Sequence, residues 1–258
     1  MPGRPALLVA IYMGGVGIGV VLSGLVVPLL PADGWRLGWL AMGVLAVAAL
    51  IPAWLGARAV AEPPAGHAAV LTGAQIRRLG PTFGWYVLFG AGYVSYMTFV
   101  IALLRSQGLG ASVTAVFFVV LGVASVLSTL TVWGHLAGRM TGGRAPALVA
   151  VIVFLGVLPV LLLPAGRFAA LLSAVVFGAS FMAGPTAATV IARRMLPQTV
   201  WTAGIAMLTV AFSAGQAIGP LVSGLLSDSA GGITRGLWLS AGLLVAAAVV
   251  AVFQREHS

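Results

Sequence analysis

The sequence contains no cysteine and no lysine, and only four acidic residues in 258. Without cysteine there are no disulfides, no thiolate metal sites and no cysteine nucleophile. Charged residues make up 7% of the chain, against roughly 25% in a soluble domain, which excludes that class. The alternation of polar and apolar residues that marks a membrane β-barrel is also missing, because the apolar runs are continuous. Acids, histidines and arginines are absent from the middle of those runs. His67, His135 and His257, with Asp33, Glu62, Asp228 and Glu256, lie between runs or at their edges. An intramembrane enzyme needs a mid-span nucleophile with its base, or paired carboxylates, so the chain is not read as an enzyme. No repeated filter or charged ring suggests a channel. No metal or cofactor is expected.

What is there is apolar: 61% hydrophobic residues and a mean hydropathy of +1.14. An all-α integral membrane protein follows. Eight transmembrane helices are expected, over residues 6–30, 35–55, 81–104, 112–136, 145–163, 168–192, 200–226 and 233–253, each near the ~20 residues needed to span. The first run is too long for a secretory signal core, and further spans follow it. The net charge of +9 would suggest nucleic acid in a soluble chain. Here every basic residue is Arg and most lie between spans, so topology explains the charge and no nucleic acid is expected. With the N-terminus inside, Arg4, Arg58, Arg77, Arg78, Arg139, Arg144, Arg193, Arg194 and Arg255 fall inside. Only Arg36, Arg105, Arg167 and Arg235 fall outside. The positive-inside bias is satisfied, and an even number of spans puts both termini in the cytoplasm. Arg without Lys, beside abundant Ala and Gly, fits a GC-rich bacterial genome and hence a bacterial inner membrane.

Residues 56–80 form the longest polar connection, rich in Pro and Ala, and read as a cytoplasmic linker. The expected organisation is two helices in 1–56, the linker in 57–80 and six helices in 81–258.

Several stretches carry more than topology. Trp133-Gly134-His135-Leu136-Ala137-Gly138-Arg139-Met140-Thr141-Gly142-Gly143-Arg144 is a basic, Gly-rich turn that closes a helical hairpin. Gly15 and Gly19 form a small-xxx-small pair suited to close helix packing. Tyr86, Phe89, Tyr93 and Tyr96 share one helical face of the third span. Tyr86 is expected to anchor the interface, whereas Tyr93 and Tyr96 either line a cavity or bond between helices. Pro185 takes the amide donor from the Phe181 carbonyl, so the sixth span should kink there. In the seventh span Gly215, Gly219 and Ser223 make a small-residue ridge. Pro220 there frees the Gln216 carbonyl, so an unpaired carbonyl and an amide side chain coincide at one depth. Gln216 therefore faces either a pathway or another helix.

The run from Gly134 to Arg139 followed by Gly142-Gly143-Arg144 resembles the loop motif G-x-L-A-D-R-x-G-R-R of the major facilitator superfamily. The seventh span, with Gly215, Gly219, Pro220, Gly224 and Asp228, is similar to that superfamily's eleventh helix. Gly14 to Gly24, Trp35-Arg36, Gly92-Tyr93, Gly178 to Pro185, Ala192-Arg193-Arg194 and Gly215-Gln216 together resemble its bacterial YbfB/YjiJ-type branch. The resemblance implies a secondary carrier working by alternating access about a midplane site, with substrate-cavity candidates Tyr93, Tyr96, Ser180, Phe212 and Gln216. It implies gating roles for Gly134, Arg139, Gly142 and Arg144. Helix packing or kinks are expected at Gly15, Gly19, Pro185, Gly215, Gly219, Pro220 and Gly224. The loop resembles the copy between helices eight and nine, which implies that the eight spans correspond to helices 5–12 of that fold, without its first four. Gly138 stands where the motif has Asp, so this half cannot supply the carboxylate that would pair with nearby cations when the inner gate closes, and a latch role for Arg139 does not follow from the motif. The expected solute is small, organic and neutral or amphipathic, with the direction open to efflux. The alternative is a truncated, non-transporting relic, or a half-transporter needing a partner chain. The expected partners are the lipid bilayer, the solute, and the missing N-terminal helices or another chain.

Overall fold

The structure, a computed structural model, describes residues 5–27, 30, 34–58, 70–228 and 232–256. Expectations for Arg4, Asp33, Glu62, His67 and His257, and for residues 59–69 of the linker, lie outside these residues. The elements among the described residues are all helical: α1 (Pro5–Val26), α2 (Trp35–Arg58), α3 (Gly73–Arg78), α4 (Gly80–Ser106), α5 (Ala111–Ser128), α6 (Gly134–Arg139), α7 (Arg144–Leu162), α8 (Arg167–Phe181), α9 (Ala183–Met195), α10 (Trp201–Ser227) and α11 (Gly232–Val252). Among them seven segments are long and apolar enough to cross a membrane, counting α5–α6 and α8–α9 as one each. α1 adds a shorter apolar stretch, Gly14–Val26.

Lipid tails are as apolar as leucine, so membrane helices associate through close packing and hydrogen bonds rather than through the hydrophobic effect. Glycine supplies the close packing here. α4 is the axis of the bundle, with α10 along one side and α11 along another. A Cβ at Gly215 would overlap the Val87 carbonyl of α4, and one at Gly219 would overlap the Ala91 carbonyl. Gly92 packs against Leu244 and Ser240 of α11, and Ser240 Oγ donates to the Gly92 carbonyl at 2.6 Å. Gly156 of α7 lies on Phe177 of α8, and Gly178 of α8 on the Leu121 backbone of α5. The outward sides of α5, α7 and α10 carry exposed Val, Leu and Ile, as a lipid-facing surface requires. α2 buries none of its residues.

Several sequence expectations need correction. Gly15 and Gly19 face outward, and a Cβ at either would meet no neighbouring atom within 4 Å. α1 instead meets α5 through Gly17, against Gly122 and Val126, and Gly24, against Phe118. Positions 17, 21 and 24 share one helical face, and 15 and 19 fall on another. The turn after the fourth span is shorter than expected, because helix continues to Arg139. The reversal is confined to residues 140–143, where Gly142 has φ +59°. The fourth span is interrupted by a π-helical turn at Thr129–Trp133. The linker region contains α3, whose Thr72 and Gln75 form a reciprocal capping box.

The sixth span does break near Pro185, but as two helices rather than one kinked helix. α8 ends at Phe181 and α9 restarts at Ala183, which places Pro185 in a first turn, where its missing N–H costs nothing. Trp133 Nε1, brought in by the π turn, donates to the Ala179 carbonyl at 2.7 Å, in the last turn of α8. By contrast α10 runs unbroken through Pro220.

Candidate functional site

α4 presents its aromatic residues at spacings of three and four, so they stack in one line along the bundle axis. Trp85 lies on Tyr86, with ring centroids 5.2 Å apart, and on Phe89 at 5.5 Å. Phe89 stacks on Tyr93 at 5.6 Å. α10 adds Phe212, which stacks on Tyr86 at 4.3 Å and on Tyr93 at 5.6 Å. α8 adds Phe181, 6.1 Å from Tyr93. Gly90 and Gly184 let this cluster close up. A Cβ at Gly90 would meet Phe212, and one at Gly184 would meet the Phe89 ring. Tyr86 is therefore part of the stack, 5% exposed, rather than an interface anchor.

One polar contact sits in this aromatic setting. Gln216, one helical turn after Phe212, donates from Nε2 to Tyr93 Oη at 2.5 Å. Gln216 remains half-buried. The two alternatives for these side chains thus meet in one arrangement: an interhelical hydrogen bond whose amide is still partly open. Tyr93, Phe212 and Gln216 are brought together. Ser180 is buried in the last turn of α8, beside Phe181.

Tyr96 is different. It is fully buried, its ring 4.3 Å from Phe177. Ser173 Oγ donates to the Gly156 carbonyl at 2.5 Å, which leaves Tyr96 Oη to donate to Ser173 at 2.5 Å. All three polar groups are satisfied inside the protein, so Tyr96 is a packing and bonding group of α4, α7 and α8 rather than a cavity-lining one.

A second constellation occupies the arginine-rich end. Arg194, in the last turn of α9, donates from Nη2 to the Gly138 carbonyl and from Nη1 to the Met140 carbonyl, both at 2.5 Å. Its Nη1 also lies 3.4 Å from Glu256 Oε1. Gln254 is buried and ties together four chain segments. Its Oε1 accepts from Thr82 N at 3.1 Å and from Thr82 Oγ1 at 2.6 Å. Its Nε2 donates to the Arg78 carbonyl at 3.1 Å and lies 3.1 Å from Met195 Sδ. Its own carbonyl accepts from Gly143 N at 2.9 Å. A Cβ at Gly143 would overlap Ala251, so only glycine permits this approach.

Among the loop residues named from the sequence, Gly134 is buried inside the helix and Arg139 and Arg144 are exposed. The arginine that grips the loop is Arg194, and it does so through backbone carbonyls. That contact was not legible in the sequence, because a backbone acceptor leaves no residue signature. Gln254 gave a weak signal, as an amide placed just after an apolar helix.

A glycine-packed bundle of apolar helices, with a polar pair among aromatics and arginines gathered at one end, has the make-up of a polytopic membrane carrier. The family model described as an uncharacterised MFS-type transporter, YbfB, matches residues 1–252, and the chain belongs to this family. It is a multi-pass membrane protein of the major facilitator superfamily. Among curated proteins, none matches it.

Proposed function

We propose that the chain acts as a secondary carrier for a small, neutral or amphipathic organic solute, working by alternating access across a bacterial cytoplasmic membrane. The observation that carries this reading is the Tyr93–Gln216 pair set among Phe181, Phe212 and Phe89. A carrier site of this kind offers aromatic faces for apolar area and a few placed polar groups for orientation. Tyr93, Phe212 and Gln216 contact solute, and Ser180 contributes from the end of α8. The α8–α9 break gives that side of the site a joint, and irregular backbone at depth is tolerated where it lines a cavity. No charged side chain lies mid-span among the described residues, so the chain's own spans offer no site for proton coupling.

The proposed topology has eight spans, α1 included, with the arginine-rich end in the cytoplasm together with both termini. Residues 1–56 form a two-helix unit, 57–80 the linker and 81–258 a six-helix half. Gly134 and Arg139 of α6, Gly142 in the cytoplasmic turn and Arg144 at the start of α7 make the gating contacts. A second reading, transport only together with further helices or another chain, is favoured by α2, which buries no residue, and by the outward-facing Gly15 and Gly19.

The test is accumulation of a neutral aromatic fluorescent dye in bacterial cells lacking their own efflux carriers, with and without the chain. The carrier reading expects a chain-dependent change that Phe212→Ala and Gln216→Leu each reduce at equal membrane abundance. Accumulation unaffected by the chain, or by either substitution, would overturn it.

A further inference from the structure

The outer side of the arginine-rich end carries a groove of about 720 Å³, between the start of α7 and the end of α11. Its walls come from Leu148 and Val151 of α7 and Val252 of α11, and its rim holds Arg144 and Arg255. We propose that this groove binds the headgroup of an anionic phospholipid, with the first part of an acyl chain lying on the apolar walls.

Four features support the assignment. Arg144 and Arg255 are exposed, and neither guanidinium has a partner among the described residues. They reach the groove from two different helix ends, so a phosphate between them would be held from two sides. Glu256, the only acid among the lining residues, is engaged by Arg194, so the groove keeps a positive balance. The first turn of α7 adds the positive end of a 19-residue helix. Val151 and Val252 stay 41% and 68% exposed at the same edge, continuous with the lipid-facing sides of their helices. A free anion in water would gain nothing from those walls, whereas a lipid covers them. Basic pockets between helix ends at the membrane boundary suit such headgroups.

The floor of the groove is already fixed. Gly143 N is taken by the Gln254 carbonyl, and Gly142 holds the left-handed turn. Nothing needs to open for a headgroup to enter. The groove lies away from the aromatic stack, so this proposal does not depend on the solute reading.

The experiment is native mass spectrometry of the full chain released from detergent. Phosphatidylglycerol, phosphatidylcholine or inorganic phosphate is added at matched concentration. Phosphatidylglycerol should be retained in preference to phosphatidylcholine, and phosphate should not displace it. Arg144→Gln with Arg255→Gln should weaken retention roughly thirtyfold, at about fivefold per arginine. Arg77→Gln with Arg78→Gln removes the same charge from the same end, outside the groove, and should leave retention within about twofold. Thermal melts in phosphatidylcholine show whether each variant is folded. Equal retention of both lipids, displacement by phosphate, or an equal loss from the Arg77 and Arg78 pair would overturn the assignment.

Discussion

Gln216 of α10 and Tyr93 of α4 share a hydrogen bond at 2.5 Å, 123 residues apart in sequence, inside a stack of aromatic rings. The bond exists because Gly215 and Gly219 bring α10 against the α4 backbone at Val87 and Ala91. Glycine packing sets the helix separation, and that separation sets which polar groups can meet.

Tyr93→Phe and Gln216→Leu should each lower the melting temperature in detergent modestly, since interhelical hydrogen bonds in membranes average about 0.6 kcal/mol and reach about 1.7. The double variant should cost less than the sum of the two. Strict additivity in that double-mutant cycle would mean the bond does not form in solution.

Ser173→Ala should destabilise more than Tyr93→Phe. It leaves the fully buried Tyr96 hydroxyl unpaired and takes a second donor from the Gly156 carbonyl, at about 1–3 kcal/mol for a stranded buried group. Thermal unfolding of the two variants side by side tests the order. Transport should survive Tyr96→Phe, because Tyr96 packs in the interior.

Gly219→Ala should be costly and Gly19→Ala nearly silent. A Cβ at 219 meets the Ala91 backbone, which cannot move aside, and overpacking of this sort costs about 1–3 kcal/mol. Nothing lies within 4 Å of one at 19, so a change within about 0.5 kcal/mol is expected. Unfolding curves for the two alanine variants provide the comparison. Equal losses would place α1 and α10 differently from the structure described.

At the arginine-rich end, Arg194→Gln should loosen the turn at residues 138–143 far more than Glu256→Gln does. Arg194 holds two backbone carbonyls, while its ion pair with Glu256 has side chains 31% and 21% exposed and is largely screened, at about 0–1 kcal/mol. Hydrogen exchange across that turn reads the difference. Arg194→Lys should not restore protection, because one ammonium lacks the fork that spans both carbonyls.

Gln254→Ala should release α11 from Thr82, Arg78 and Met195 together, leaving the Thr82 donors without their acceptor. A cost of about 1–3 kcal/mol is expected, visible as lost exchange protection at the start of α4. Unchanged protection there would show that the C-terminal segment does not hold this end together.

Composition alone determined that this chain lives in a membrane and is helical, because apolar runs of that length leave a backbone no other way to satisfy its hydrogen bonds. Spacing placed Tyr86, Phe89, Tyr93 and Tyr96 on one face, and proline chemistry located the break near 185. Glycine spacing foretold the close approach at Gly215 and Gly219 but misplaced the one on α1. Two faces of that helix carry glycines, and only a neighbour decides which is used. Whether Tyr93 and Tyr96 would face a cavity or another helix was likewise open, since a phenol has the same sequence signature in both settings. Tertiary structure gave each phenol an interhelical partner, Ser173 for the fully buried Tyr96 and the half-buried Gln216 for Tyr93. The Arg194 and Gln254 contacts were decided by the fold alone, because they join chain ends to backbone atoms of distant turns. Local patterns report what each segment can bury; only the packing of segments fixes which partner each polar group finds.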